Sequence, residues 1–156
     1  MPERNENRKF ERYDTEVRIL FQVAYDIQTK VEYRVINPDQ DSASPKYSAL
    51  SKNISVEGLC FSSVQKLEVG DILSMELYLP AHKDPIPMQG EVRWSEKKSP
   101  SQKSDKFDTG VKLMTINGKP VHESIYFDQD NKVVWSLVLE SVFGSFRIFA
   151  QKQKKA

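Results

Sequence analysis

Residues 71–94 read DILSMELYLPAHKDPIPMQGEVRW. Leu73, Met75, Leu77 and Leu79 fall on every second position and stop at Pro80. Met88, Gly90, Val92 and Trp94 take up the same period again. A period of two places successive side chains on opposite faces of an extended chain, so each set predicts a strand with one buried face, Trp94 included.

Working outward, Val17, Ile19, Phe21, Val23 and Tyr25 alternate in the same way, and Val31, Tyr33 and Val35 form a second β-like piece. Residues 37–45 (NPDQDSASP) have the composition of a loop. Residues 47–54 and 58–62 read as two strand pieces around a tight corner at 55–58. The polar stretch 97–106 leads into a short strand with Val111 and Leu113 inward. At least six strands with turn signals between them predict a barrel or sandwich. Near the end the period lengthens: Val134, Val138, Val142 and Phe146, flanked by Trp135, Leu139, Phe143 and Phe149, predict a helix over 130–152. Asp130 or Asn131 would cap its start, and Lys152, Lys154 and Lys155 suit the negative end of its dipole. Gly144 costs this helix about 1 kcal/mol relative to Ala. The apolar stripe is read as closing an open barrel end, in preference to binding a partner.

Composition narrows the class. The chain has 156 residues, 38% hydrophobic and 29% charged, which fits one domain able to bury an ordinary core. No run reaches the roughly 18 apolar residues of a spanning helix, so membrane insertion is not expected. The charged N-terminus lacks a secretory apolar stretch and Cys60 stands alone, so a reducing cytoplasm is the expected location. With 23 basic and 22 acidic residues the net charge is +1, which excludes bulk recruitment of long nucleic acid. His82 and His122 are far apart without neighbouring ligands, so no metal is expected. Asp128 and Asp130 imitate a calcium loop, but Leu139 stands where its glutamate would be. No phosphate-binding loop, dinucleotide glycine pattern or nucleophile elbow is present, and the chain reads as a binding protein without catalysis or cofactor.

Two short patterns carry chemistry. Arg8-Lys9-Phe10-Glu11-Arg12 sets two guanidinium groups four residues apart ahead of the first strand. Asn53-Ile54-Ser55-Val56-Glu57-Gly58 sets an amide, a hydroxyl and a glycine around a strand corner, where Asn and Ser bond nearby backbone and Gly would take positive φ. Arg can fork onto a phosphate or onto guanine O6 and N7, and can stack on a base. Asn53 can accept from guanine donors, and Ser55 can donate to a phosphate oxygen.

In this order and on a β-rich frame, the two patterns resemble the PilZ family of bacterial cyclic di-GMP receptors. Gly58-Leu59-Cys60-Phe61, Gly90-Glu91-Val92-Arg93-Trp94 and Gly110-Val111-Lys112-Leu113 are similar to its later strands. The resemblance implies an all-β fold, a six-stranded antiparallel barrel with a C-terminal α-helix. Here 26–46 would be an extended excursion after the first strand, a surface loop or an effector-docking piece. The whole of 1–156 would be one domain: a mobile ligand-switch segment over 1–16, the barrel over 17–116 and the helix over 130–152. It further implies that Arg8 and Arg12 clamp cyclic di-GMP over a floor of Asn53, Ser55 and Gly58. The N-terminal rearrangement would then be relayed to an unidentified effector protein controlling motility, adhesion or matrix secretion in biofilms. Two alternatives are a ligand-free barrel of the same fold working through protein contacts in pilus or flagellar machinery, and a barrel for single-stranded nucleic acid. The first lacks a reason for the arginine pair; the second lacks a basic groove with surface aromatics.

Overall fold

The computed structural model describes residues 23–36, 45–98 and 106–144. In chain order the elements are β1 (Tyr25–Asp26), β2 (Lys30–Ile36), β3 (Tyr47–Ile54), β4 (Gly58–Ser63), β5 (Ile72–Tyr78), β6 (Ile86–Lys97) and β7 (Phe107–Ile116). They continue with β8 (Lys119–Pro120), a 3-10 turn at His122–Ser124, β9 (Tyr126–Asp128), β10 (Val133–Trp135) and α1 (Leu137–Phe143). Neighbours around the wall run β3, β2, β5, β6, β7, β4, all antiparallel, and β4 pairs back onto β3. The ring is a closed six-stranded barrel, which leaves its wall strands without free edges.

Alternation fills it. Leu73, Met75 and Leu77 from β5, Val92 from β6, and Val111 and Leu113 from β7 all point inward and are buried. Tyr33 is wholly buried too, with its ring 5.0 Å from Phe61. Its hydroxyl lies 2.6 Å from Ser63 Oγ and donates to Gln65 Oε1, so the one polar atom of a core ring is satisfied.

The link expected over 26–46 is shorter than the sequence reading has it. Lys30–Ile36 is a wall strand between β3 and β5. Tyr25, Ile27, Thr29, Val31, Tyr33 and Val35 keep one parity, each buried or half-buried. The alternation is masked in sequence because a polar residue, Thr29, holds an inward place. Its Oγ1 donates to the Tyr78 carbonyl, and its N–H donates to Ser51 Oγ at 2.9 Å. Ser51 Oγ in turn donates to the Ile27 carbonyl at 2.7 Å. Of the first predicted strand only Tyr25–Asp26 is strand within the described residues, paired with Ile54 and Asn53. Residues 1–22, including Arg8 and Arg12, lie outside them, as do 37–44.

The predicted helix over 130–152 is corrected at its start. Val133–Trp135 is a strand paired with Tyr126–Asp128, and Asp130 and Asn131 occupy the turn between them. Asp128 Oδ1 accepts from the Asn131 N–H at 2.8 Å, which closes that turn. Ser136 caps the helix instead, accepting from Val138 N and Leu139 N. Val134 and Trp135, read as helical, are buried from a strand, and with Val138 and Leu139 they join the barrel core. Residues 145–156 lie outside the described part.

On the outer face of β2 and β5, Glu32 accepts from Lys30 at 2.8 Å and from Lys46 at 3.0 Å, and Lys46 also reaches Glu76 at 3.0 Å. These lysine hydrogen bonds, Lys30 first, lower the Glu32 pKa from 4.5 to about 2. A lowered folded-state pKa gives stability that is full above the unfolded value and lost as pH falls. Chemical denaturation followed through the acid range should therefore show a loss between pH 4.5 and about 2 that Glu32→Gln removes. At Gly90 an added Cβ would meet Val111 Cγ1 and come within 2.9 Å of the Lys112 carbonyl oxygen. Gly90→Ala should therefore lower unfolding free energy by about 1–3 kcal/mol through overpacking, read as a reduced denaturant midpoint.

Candidate functional site

The corner between β3 and β4 is made by the backbone. The Ser55 N–H donates to the Gly58 carbonyl at 2.9 Å, and the Leu113 N–H of β7 donates to the Glu57 carbonyl at 2.6 Å. Val56 is buried beneath it. Gly58 is not among the residues with positive φ, so the sequence-based reason for a glycine here is replaced by another. A Cβ at 58 would stand 2.9 Å from Ser55 Oγ. Glycine clears the space in which the Ser55 hydroxyl sits.

Asn53 faces outward because β3 carries a bulge between Ser51 and Asn53. The extra residue, Lys52, shifts the alternation by one, so Ser51 points in, Asn53 out and Ile54 in again. A second bulge lies on β6 between Val92 and Trp94, with Arg93 as the extra residue. It corrects the expectation that Trp94 is a core residue: the indole is 41% exposed. A Cβ at Gly110 would overlap the Trp94 Nε1 and Cε2 atoms, so the ring rests on the bare Gly110 backbone.

The two bulges set the ends of one row across the outer wall. Asn53 pairs with Cys60, Cys60 with Gly110, and Gly110 with Trp94. Beside that row an open groove of about 290 Å³ is lined by Asn53, Ser55, Gly58, Arg93, Trp94 and Lys112, with Cys60 and Glu57 also on it. Three of the predicted site residues thus meet in one groove; the other two, Arg8 and Arg12, lie outside the described residues. Within the described residues neither the Asn53 amide nor the Ser55 hydroxyl is hydrogen-bonded by its side chain, and both line the groove.

Arg93, Trp94 and Lys112 line the groove although the pattern reading did not assign them. The available signal was the Gly90-Glu91-Val92-Arg93-Trp94 stretch, but strict alternation sends Trp94 inward, and only the bulge brings it out. Arg93 is loosely held, 3.9 Å from Glu91 with its side chain 55% exposed. Lys52 is committed to Asp108 at 2.9 Å. That hydrogen bond raises the Lys52 pKa and keeps it charged. Cys60 is buried, and desolvation pushes its thiol pKa up; this protonated thiol is a poor nucleophile. The groove offers a flat aromatic surface, cations and neutral hydrogen-bonding groups side by side, chemistry suited to a planar, anionic ligand. Among the described residues there is no cluster of three or more His, Cys, Asp or Glu to hold a metal, and no helix long and apolar enough to cross a membrane.

The fold is a closed six-stranded antiparallel barrel with a polar groove on its outer wall. Residues 6–124 match the PilZ domain, so the chain belongs to the PilZ domain family, a family of cyclic di-GMP receptors. Among solved structures it is similar to the inhibitor of motility MotI/DgrA of Bacillus subtilis, with 22% identity and a TM-score of 0.45. That similarity covers 60% of this chain and 42% of the other. No curated protein matches.

The Trp94 seat gives a direct test. Gly110→Ala should lift the indole off the strand and shift its fluorescence emission to longer wavelength. The buried Trp135 should continue to emit from an apolar site. An unchanged spectrum would refute the stacked arrangement.

Proposed function

We propose that this chain is a cyclic di-GMP receptor and that the nucleotide occupies the groove beside the β3–β4 corner. The observation that carries the reading is the convergence of Asn53, Ser55 and Gly58 with Arg93, Trp94 and Lys112 on one groove. Each part has a counterpart in the ligand. Cyclic di-GMP has two phosphates, for which Arg93, Lys112 and the Ser55 hydroxyl are donors. It has two guanines, for which Asn53 offers an edge acceptor and Trp94 a stacking plane. Gly58 leaves the backbone open to close approach.

Arg8 and Arg12 complete the clamp in this reading, closing over the nucleotide from the N-terminal side. The closure is the signal, read by an effector protein that recognises the ordered segment. Such ordering opposes binding, so affinity reflects the surplus of charged contacts over the entropy lost. A micromolar dissociation constant, about 8 kcal/mol, is within reach of a handful of such contacts.

Titration calorimetry of the chain with cyclic di-GMP tests this. Saturable heat is expected, with affinity lowered about tenfold or more by Ser55→Ala, the equivalent of about 1.4 kcal/mol, and further by Arg8→Ala/Arg12→Ala. The fitted stoichiometry distinguishes one nucleotide from an intercalated pair. No heat, together with a melting temperature unmoved by saturating nucleotide, would overturn the reading.

A further inference from the structure

Ser136 stands outside the groove, yet it is joined to the corner. Its side chain is buried, with the residue 1% exposed. Its Oγ donates to the Val56 carbonyl at 2.6 Å, inside the Asn53–Gly58 pattern. The same oxygen accepts from Val138 N at 3.2 Å and Leu139 N at 3.5 Å. A hydroxyl has one proton to give and lone pairs to receive with, so one atom serves two elements at once. The remaining first-turn donor, Leu137 N–H, goes to Ser124 Oγ at 3.0 Å. The helix start is thereby fully capped. At its other end Phe143 packs edge-on against Tyr25 with ring centroids 5.5 Å apart. Tyr25 pairs with Ile54 and lies on the strand that follows the arginine pair in sequence. Helix α1 therefore touches both the corner and the short strand β1 that pairs beside it.

We infer that Ser136 is a positioning residue for the ligand corner, and that α1 and the groove form one coupled unit. The inference rests on the cyclic di-GMP reading for its functional consequence. Its structural content stands without it. Val56 is itself buried, and its carbonyl takes the Ser136 proton. Holding that carbonyl fixes the Val56–Glu57 peptide plane, which lies between Ser55 and the Glu57 carbonyl that accepts from Leu113. Coupling is reciprocal: a nucleotide that stiffens the corner also stiffens the helix start, and undocking of the helix loosens the floor of the groove.

Three substitutions separate capping from positioning. Ser136→Thr keeps the hydroxyl and both functions. Ser136→Asp keeps a strong helix cap but, ionised, has no proton for the Val56 carbonyl. Ser136→Ala loses both. The first readout is amide hydrogen exchange in the chain without nucleotide. Faster exchange is expected at Ser55 and Leu113, the two corner amides, in the Ala and Asp variants. The Met75 and Met88 amides of the β5–β6 pair should be unaffected, the Thr variant should behave as wild type, and the Asp variant should keep the Glu140 amide protected. Unchanged exchange at Ser55 and Leu113 in the Ala and Asp variants would overturn the coupling, whether or not nucleotide binds. The second readout is calorimetry with cyclic di-GMP. Affinity should fall about tenfold in the Ala and Asp variants and be retained in Thr. Full affinity in the Asp variant would overturn the positioning role. If wild type takes up no cyclic di-GMP, the receptor reading falls while exchange still decides the coupling. If either the Ala or the Asp variant unfolds, the other carries both measurements.

Discussion

Everything in this fold depends on β4 pairing back onto β3. That single ladder turns a six-stranded sheet into a ring. It commits the inward face of every strand to a core packed with Tyr33, Phe61, Leu73 and their neighbours. A barrel of six strands is filled by its own side chains. Polar chemistry sits on the outer wall, where alternation leaves it. It is concentrated where the ring closes, because the β3–β4 connection is the tight corner that exposes Ser55.

The groove on the outer wall owes its lining to two departures from regularity. Bulges at Lys52 and Arg93 each insert one residue, and each reverses the facing of the next stretch of strand. Without them Asn53 and Trp94 would point into a full core. With them the two become the ends of one cross-strand row, with Cys60 and Gly110 between. Gly110 matters through what it lacks, since any side chain there would occupy the place of the indole. The same economy appears at Gly58, where the missing Cβ makes room for the Ser55 hydroxyl. Two glycines at ordinary backbone angles thus shape the groove by omission.

The C-terminal part is joined to the β3–β4 corner as well as to the core. Ser136 takes the capping place that the sequence pattern assigns to Asp130 or Asn131. The reason is a competing hairpin: Val133–Trp135 pairs with Tyr126–Asp128, so the helix cannot begin until that ladder ends. Of the apolar stripe, Val134 and Trp135 are buried from a strand and Val138 and Leu139 from the helix, Val142 and Phe143 are half-buried, and Phe146 and Phe149 lie outside the described residues.

The architecture and the corner were legible in the sequence because each rests on short-range rules. Period two marks a half-buried strand, Pro80 ends one, and the Asn53–Gly58 spacing describes a corner closed by the local Ser55–Gly58 bond. Composition likewise bounded the size of the core and excluded a spanning helix. Thr29 hid the continuity of the first wall strand, since a polar residue looks outward until its partner, the Tyr78 carbonyl, is known to lie on the neighbouring strand β5. Only the tertiary structure decided which residues join Asn53 and Ser55. Bulges at Lys52 and Arg93 carry no residue signature and exist through the registers of paired strands. The Trp94 seat on Gly110 and the Ser136 bond to Val56 span segments far apart in the chain. Local propensity acts between near neighbours, whereas register and long-range hydrogen bonds are properties of the closed ring.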